Sequence, residues 1–483
     1  MEENIMDPRD KNDLMEQRHI NLKKMEESGQ LPFGEAFGDV QDIGAMKSDF
    51  SEGRKVRAAG RVMAKRIMGK SVFADIKDFT GKIQLYFNKK GVGEKEFELL
   101  KVLDIGDIIG VDGQLVKTRT GEETIQVTGF KLLSKSLRPL PEKWHGLKDV
   151  EMRYRQRYVD LIMNDASREV FVKRINIIKS IRDHLNGRGF HEVETPMMHS
   201  IPGGAAGKPF KTHHETLDMD LFLRIAPEIY LKKLLVGGFR KIYEINRSFR
   251  NEGISVRHNP EFTMIEVYEA YSDCEGMMRL TEDLIRNAAK EVLGTEKFSY
   301  QGRQIDLTHW KRVSFADLMK NHYGISVDDP LNEWVSRLKG KGVEIEGDKV
   351  SKTQLLNIIG DLVEPDTETH PVFVVDMFKE LSPLAKEKPG EAGITDRFEL
   401  FIGGMEIANA YSELNDPVDQ KQRFVDQVRE DPEARIDEDF VRALEYGMPP
   451  AGGLGIGIDR LTMILTDSAS IRDVILFPQM RPE

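Results

Sequence analysis

The sequence predicts an α+β fold in two parts: a small closed β-barrel, then a larger antiparallel sheet flanked by helices. Three observations carry this. Five short runs of alternating polarity lie between Lys55 and about Ser134 and end near glycines. A Pro-containing stretch, Leu137 to Gly146, then interrupts the pattern. Beyond it, runs with helical periodicity alternate with strand-like runs. The 483 residues, 40% hydrophobic and 31% charged, suffice for two or three domains.

Residues 1–52 read as a helical N-terminal extension. Leu14, Ile20, Leu22 and Met25 sit among charges from about Asp13 to Ser28, and Gly29 and Pro32 end that helix. The barrel, 53–136, takes strands Val56 to Val62, Ser71 to Asp75, Lys82 to Phe87, Ile108 to Val116 and Thr124 to Leu133. Five strands of this length suit an OB-fold. Residues 137–166 are assigned to a linker. The larger domain, 167–483, opens with a helix to about Asn186 and places strands at Arg240 to Phe249, Glu261 to Tyr271, Phe398 to Ile402 and Glu406 to Leu414. The segment at about 274–395 reads as a helical insertion between strands of the sheet.

Composition narrows the function. A single cysteine, Cys274, excludes an internal disulfide and a four-cysteine zinc site, and suits a reducing compartment. No apolar run reaches the roughly 20 residues needed to span a bilayer, and the charged start is unlike a signal peptide. A cytoplasmic protein without membrane contact is expected. The net charge of -11 argues against indiscriminate nucleic-acid binding, so DNA is not an expected partner. Local charge differs: Arg54 to Lys70 holds seven lysines or arginines and no acid, a strip able to meet RNA.

Three segments carry chemistry. Tyr243 to Tyr268 reads as strand, polar loop, strand; Arg250 stands at the mouth of the first strand, where a guanidinium can grip a phosphate at two points. Phe262, Met264, Glu266 and Tyr268 alternate along the second strand and face one side. Taken alone, these residues equally fit a solvated charged hairpin. Gly452 to Leu465, GGLGIGIDRLTMIL, combines close backbone approach with an arginine near a helix start; it lacks a P-loop ending and a following βαβ unit, and also fits plain strand–helix packing. In Phe398 to Leu414 two strand-like runs meet at Gly403 and Gly404, a dipeptide suited to a two-residue hairpin. That register sets Glu406 opposite Phe401 and leaves Glu399 and Glu406 diagonal neighbours, roughly 5 to 8 Å apart. Such a pair can hold magnesium with substrate phosphates, or simply be surface glutamates.

At these segments the sequence resembles the class II aminoacyl-tRNA synthetases, and among them the bacterial-type lysyl family. FRNEG (Phe249 to Gly253) with RHNPEFT (Arg257 to Thr263) resembles motif 2, GLGIGIDR (Gly453 to Arg460) motif 3, and GFHEVETP (Gly189 to Pro196) the end of motif 1, which forms the family's dimer interface. Lysine-type signatures lie between them: PGGAAGKPFKTHH from Pro202, ELSPLAK from Glu380 and NAYSELNDP from Asn409. The likeness runs from about Asp13 to the C-terminus.

The resemblance implies a lysine–tRNA ligase, a homodimer acting on L-lysine, ATP and tRNA(Lys) with Mg2+. It assigns ATP contacts to Arg250, Glu252, His258, Asn259, Phe262, Glu399 and Arg460, and metal ligation to Glu399 and Glu406. Lysine contacts fall on Gly204, Glu228, Glu266, Tyr268, Asn409, Tyr411 and Glu413. The barrel would read the anticodon through Phe73 and Gln84, with Arg66 beside them; Phe73 alone also fits a barrel core aromatic. Arg250 and Arg460 would be the catalytic charges, since adenylate formation needs positioning and charge stabilisation rather than a protein nucleophile. An aspartyl- or asparaginyl-type synthetase would need a cationic pocket, against which Glu413 speaks. A lysine ligase acting on a translation factor would lack the barrel. A catalytically inactive RNA-binding paralogue would lose motif arginines or metal carboxylates, all present here.

The sequence departs from the family at Met405, where arginine or lysine is usual, and at Met377 and Phe378, where tyrosine and proline are common. One conflict is internal: Glu406 and Asn409 differ in strand parity yet both are carried to one site. A β-bulge between them is required, or one assignment fails.

Overall fold

A computed structural model describes residues 8–141, 147, 149–205, 207–345, 350–430 and 435–482. The chain divides into two units, Met1–Lys148 and Asp149–Glu483.

In the first unit, helix α1 (Pro8–Glu27) is tied down by Arg18, which donates to the carbonyls of Ile105 at 2.7 Å and Ser136 at 2.9 Å. Strands β1 (Lys55–Met68), β2 (Ser71–Lys77) and β3 (Lys82–Asn88), helix α2 (Glu94–Val102), and strands β4 (Ile108–Lys117) and β5 (Glu123–Ser134) follow. The strands close into a barrel in the order β1-β2-β3-β5-β4. Alternate residues such as Val56, Ala58, Val72, Ile76 and Leu85 fill it, each large aliphatic side chain contributing about 1.5–3 kcal/mol. All five expected strands form. The first is longer than expected: β4 pairs with β1 only as far as Arg61, and after a register shift between Val62 and Ala64 the strand runs on to Met68 paired with β2 alone. Residues 1–7 of the expected N-terminal extension lie outside the described residues.

Residues 142–146 and 148 of the expected linker also lie outside them. From residue 150 the linker reading is corrected: Val150–Arg155 and Arg157–Met163 are helical. Buried Arg157 pairs with buried Asp160 at 2.6 Å and donates to the carbonyl of Arg472, which ties this stretch into the second unit.

The second unit contains helix α3 (Asp165–Gly187), β6 (His191–Glu192), α4 (Glu228–Val236), β7 (Lys241–Phe249), β8 (Glu261–Ala270) and α5 (Cys274–Leu293). There follow β9 (Lys311–Ser314), β10 (Val372–Phe378), β11 (Ile394–Ile402), β12 (Met405–Ser412), α6 (Glu438–Glu445), β13 (Ala451–Gly457) and α7 (Ile458–Thr466). One eight-stranded sheet runs β9-β10-β11-β12-β13-β8-β7-β6. Its interior is antiparallel as expected, but both edge pairs, β9 with β10 and β6 with β7, are parallel.

The insertion reading at 274–395 needs correction as well. The stretch has helices, but β9 and β10 within it extend the sheet, and Lys297–Tyr300 pairs with Arg303–Asp306 in a separate hairpin; residues 346–349 lie outside the described ones. Helix α5, capped by Asp273 and ended at left-handed Gly294 (φ 71°), is no excursion: its Met277, Leu284 and Ala288 pack with Ile181 of α3 into the core beneath the sheet. Ile265, Val267, Phe398, Leu400, Leu454 and Ile456 point into that core. By strand alternation the intervening residues face the other way, and the functional side chains stand there. Among the described residues no helix is long and apolar enough to cross a membrane.

Candidate active site

The middle strand of this face has almost no side chains. β13 lies between β8 and β12, with Gly455 flanked by Glu266 and Asn409 and Gly453 flanked by Tyr268 and Tyr411. A furrow results, floored by glycine backbone and walled by polar residues. A Cβ on Gly453 would overlap Oε1 of Glu413 and lie 2.7 Å from Cε1 of Tyr268; one on Gly455 would lie 3.1 Å from Cε of Met264. Two of the glycines in this run therefore clear a pocket.

The parity conflict resolves in the β11–β12 hairpin. Gly403 (φ 57°) and Gly404 (φ 79°) make the turn with both central residues left-handed, as a type I′ hairpin needs. Phe401 pairs with Glu406 as expected, but the next pair is Leu400 with Ala408. Ile407 is the extra residue of a bulge, so Glu406 and Asn409 both reach the polar face while Ile407 and Ala408 both enter the core. Glu399 retains 22% exposure and Glu406 41%. Burial raises the Glu399 carboxyl above its usual range, Arg397 opposes that, and the charge of Glu406 reinforces it. Among the described residues no cluster of three or more His, Cys, Asp or Glu side chains is arranged for a metal. The two glutamates form a pair only.

Arg397 was missed in the sequence. Its guanidinium donates to Glu399 at 2.6 Å, Asn409 at 3.2 Å, the Leu381 carbonyl at 2.6 Å and Ser382 Oγ at 2.9 Å, clamping the 380–386 loop to both strands. Period two places it on the face of Glu399, which was a readable signal.

At the other end of the furrow, the amide of Arg250 donates to Pro260 (2.9 Å) and its guanidinium lies 5.2 Å from the centre of the Phe262 ring. Burial pulls its pKa down against the charges of Glu406 and Glu252, and its buried Nε has no hydrogen-bond partner among the described residues. A buried donor left open is costly unless a ligand takes it up. Arg460 donates to the Glu406 carbonyl at 2.8 Å, contacts its carboxylate at 3.2 Å and reaches His258 Nε2 at 3.0 Å. Burial and then Arg460 lower the His258 pKa, which favours a neutral ring accepting at Nε2. Asp459, buried, pairs with Arg174 at 2.5 Å and accepts from the Thr263 amide at 2.7 Å, fixing the helix start that carries Arg460. Asn259 uses Nδ2 on the Glu261 carbonyl (2.6 Å) and leaves a buried Oδ1 open. Glu252 and Arg250 flank Gly207, where an added Cβ would sit 3.1 Å from each. Ala206 of that loop lies outside the described residues.

The carboxylate end is assembled from α4, β8 and β12. Tyr411 donates to Glu228 at 2.6 Å and Tyr268 to Glu266 at 3.1 Å. Gly204 (φ 88°) sits where a Cβ would be 3.2 Å from that of Glu228. Burial, then the Glu228 charge, holds Glu266 well above the normal carboxylate range, and burial pushes Glu413 up to about 8 despite a nearby ammonium. That ammonium, Lys232, was also missed. It is 2.6 Å from Glu228 and 2.5 Å from Glu413, with no exposure. Of the predicted residues, Glu266, Tyr268, Asn409 and Tyr411 line the furrow beside the glycines, with Glu413 against Gly453 and Gly204 against Glu228. The departing residues do not: Met405, Met377 and Phe378 are buried in hydrophobic clusters.

On the barrel, Arg66 of β1 pairs with Phe73 of β2, and Phe73 with Tyr86 of β3; the last two rings are 5.1 Å apart. Gln84, buried, lies two residues from Tyr86 on the same strand face, its side-chain oxygen accepting from the Thr124 hydroxyl at 3.0 Å. Tyr86 was missed. Much of the basic strip is spent locally: Lys65 caps carbonyls at the end of α2, Arg61 binds the Gly106 carbonyl, and Arg54 pairs with Asp49.

An OB barrel in one unit, and in the other a sheet of this order with an open arginine at one end of a furrow and carboxylates at the other, define a class. Residues 149–481 match the family described as tRNA synthetases class II (D, K and N), and residues 56–133 match the OB-fold nucleic acid binding domain. Curated relatives narrow the class. The chain is 55% identical over 485 residues to the lysine–tRNA ligase of Pelotomaculum thermopropionicum, covering 98% of this chain and 96% of that one. It is 52% identical over 488 residues to that of Carboxydothermus hydrogenoformans, covering 99% and 100%. The chain belongs to the lysine–tRNA ligase family of class II aminoacyl-tRNA synthetases.

Proposed function

We propose that the glycine-floored furrow is where L-lysine meets ATP, carboxylates taking the amino acid's ammonium groups and arginines taking phosphate. The activity is ATP-dependent: lysine is activated to lysyl-adenylate with release of pyrophosphate, then esterified to the 3′ end of transfer RNA. The observation that carries the site assignment is the convergence of Glu228, Glu266 and Glu413 on one buried slot. Two ammonium groups drawn out of water need anions there. Gly204, Tyr268, Asn409 and Tyr411 wall the four-carbon stem. Arg250 and Arg460 stabilise the charge that builds on the α-phosphate as the lysine carboxylate attacks it; Glu252, His258, Asn259 and Phe262 hold the nucleotide, with Phe262 and Arg250 enclosing the base.

Glu399 and Glu406 suit magnesium, because the charge of Glu406 adds to the raised proton affinity of the Glu399 carboxyl, which a cation would relieve, and Mg2+ takes few protein ligands beside phosphates. Bound there, the ion would supply charge neutralisation on the phosphates. Changing either residue to Gln is expected to raise the Mg2+ needed for half-maximal ATP–pyrophosphate exchange by about 10- to 100-fold. Unaltered magnesium dependence in both variants would remove the metal from these residues.

The barrel face of Arg66, Phe73 and Gln84, extended by Tyr86, is proposed to stack and read the anticodon of tRNA(Lys). Pairing as a homodimer through Gly189 to Pro196 is supported by exposed apolar Met197 and Met198 beside that run. The lone, buried Cys274 fits the reducing cytoplasm.

A further inference from the structure

We infer that Lys232 is a specificity-determining positioning residue, a built-in cation that joins Glu228 to Glu413 and sets the pocket's residual charge to match lysine. This rests on the reading of the furrow as the lysine site. Lys232 lies on α4 one turn beyond Glu228, so both side chains leave the same helix face. Its ammonium, with no exposure, is 2.6 Å from Glu228 and 2.5 Å from Glu413, which comes from a different element. The rings of Tyr411 and Phe440 stand 5.5 and 5.9 Å away. The lysine beside it in sequence, Lys233, instead pairs with Asp439 at the surface.

Charge balance explains the arrangement. Once the ammonium groups of a bound lysine draw Glu228, Glu266 and Glu413 into their ionised form, the three bring three negative charges to the slot, and Lys232 offsets one. The remaining two equal the ammonium charges of one lysine molecule. The neighbouring arginines are otherwise committed, Arg224 to Glu244 and Arg397 to Glu399. Without Lys232, three buried carboxylates would crowd one site, and such groups take up protons rather than stay charged. A protonated carboxyl cannot pair with the substrate. Lys232 thus lowers the proton affinity of Glu413 against the effect of burial and holds the carboxylate 2.5 Å from a fixed point, against the glycine floor. Among the described residues, Glu413 faces Lys232 and Glu228 from α4, Tyr268 from β8, Tyr411 from β12 and Gly453 from β13; of these Lys232 alone is a cation.

The test is steady-state lysine-dependent ATP–pyrophosphate exchange across pH. Lys232→Met is expected to raise KM for lysine about 100-fold with KM for ATP little changed. The acid limb of kcat/KM for lysine should move to higher pH, because loss of the cation raises the carboxyl's proton affinity. Lys232→Gln, which keeps hydrogen-bond donors but no charge, should behave as Met does, and Lys232→Arg should keep the limb where the native protein has it. ATP binding without lysine reports that each variant is folded, and the Gln variant decides if the Met variant is not. An unchanged lysine KM, or a loss of activity with no movement of the acid limb, overturns the inference. If Glu413→Gln abolishes lysine activation while both neutral Lys232 variants retain it, the inference alone fails; if Glu413→Gln is also without effect, the pocket reading fails with it.

Discussion

Glu413→Gln is expected to lower kcat/KM for lysine by about two to three orders of magnitude, since removing one partner of a buried ion pair costs about 3–5 kcal/mol. ATP affinity should change little, because Arg250, Arg460 and Phe262, the residues proposed to hold ATP, lie at the other end of the furrow. The carboxylate is wholly buried and fixed against Gly453, so no neighbour can swing into its place. A pH signature accompanies the loss. Burial holds this carboxyl near 8 in the free protein, and only the ionised form pairs with an ammonium. The native kcat/KM for lysine should therefore rise with pH through about 8, and the Gln variant should lack that limb. Near-normal lysine activation by the variant would show that the pocket lies elsewhere.

Gly453→Ala should be nearly as damaging, although it adds one methyl group and removes nothing. That methyl would overlap Glu413 Oε1 and crowd Tyr268, whose ring carbon would be 2.7 Å away. β13 is held on both sides by β8 and β12, so the backbone cannot retreat. The carboxylate must move, and a displacement of about 1 Å at a substrate-positioning group can cost on the order of 100-fold. Lysine-dependent exchange should fall by that amount while thermal unfolding and ATP binding remain close to those of the native protein. Equal loss of ATP binding would instead mean that the alanine distorts the sheet.

These two residues also mark the limit of what the sequence discloses. The barrel was readable because its strands are half-buried and alternate cleanly, with glycines at their ends. β10, VFVVDMF, was not: it is a short apolar run, which periodicity cannot separate from a buried helix, and β9 has only four residues. Both therefore disappeared into a supposed helical insertion. The bulge at Ile407 left a visible trace, the parity conflict between Glu406 and Asn409, but its position needed the register. Arg397 could have been found from its spacing to Glu399. Lys232 could not: in YLKKLL it resembles any solvated helix lysine, and only the packing of α4 against β12 distinguishes it from Lys233. Likewise the glycines of β13 announce close approach in sequence, but what approaches Gly453 is a carboxylate from the adjacent strand's end rather than a phosphate.

The central claim is that this furrow selects lysine by charge and shape together. ATP–pyrophosphate exchange measured with each of the twenty amino acids in turn tests it most directly. Exchange should depend on lysine, with arginine and the uncharged residues of similar length giving only background, because they leave a buried carboxylate unpaired or overfill the slot. Comparable exchange with aspartate or asparagine, or with no amino acid preferred, would contradict the account.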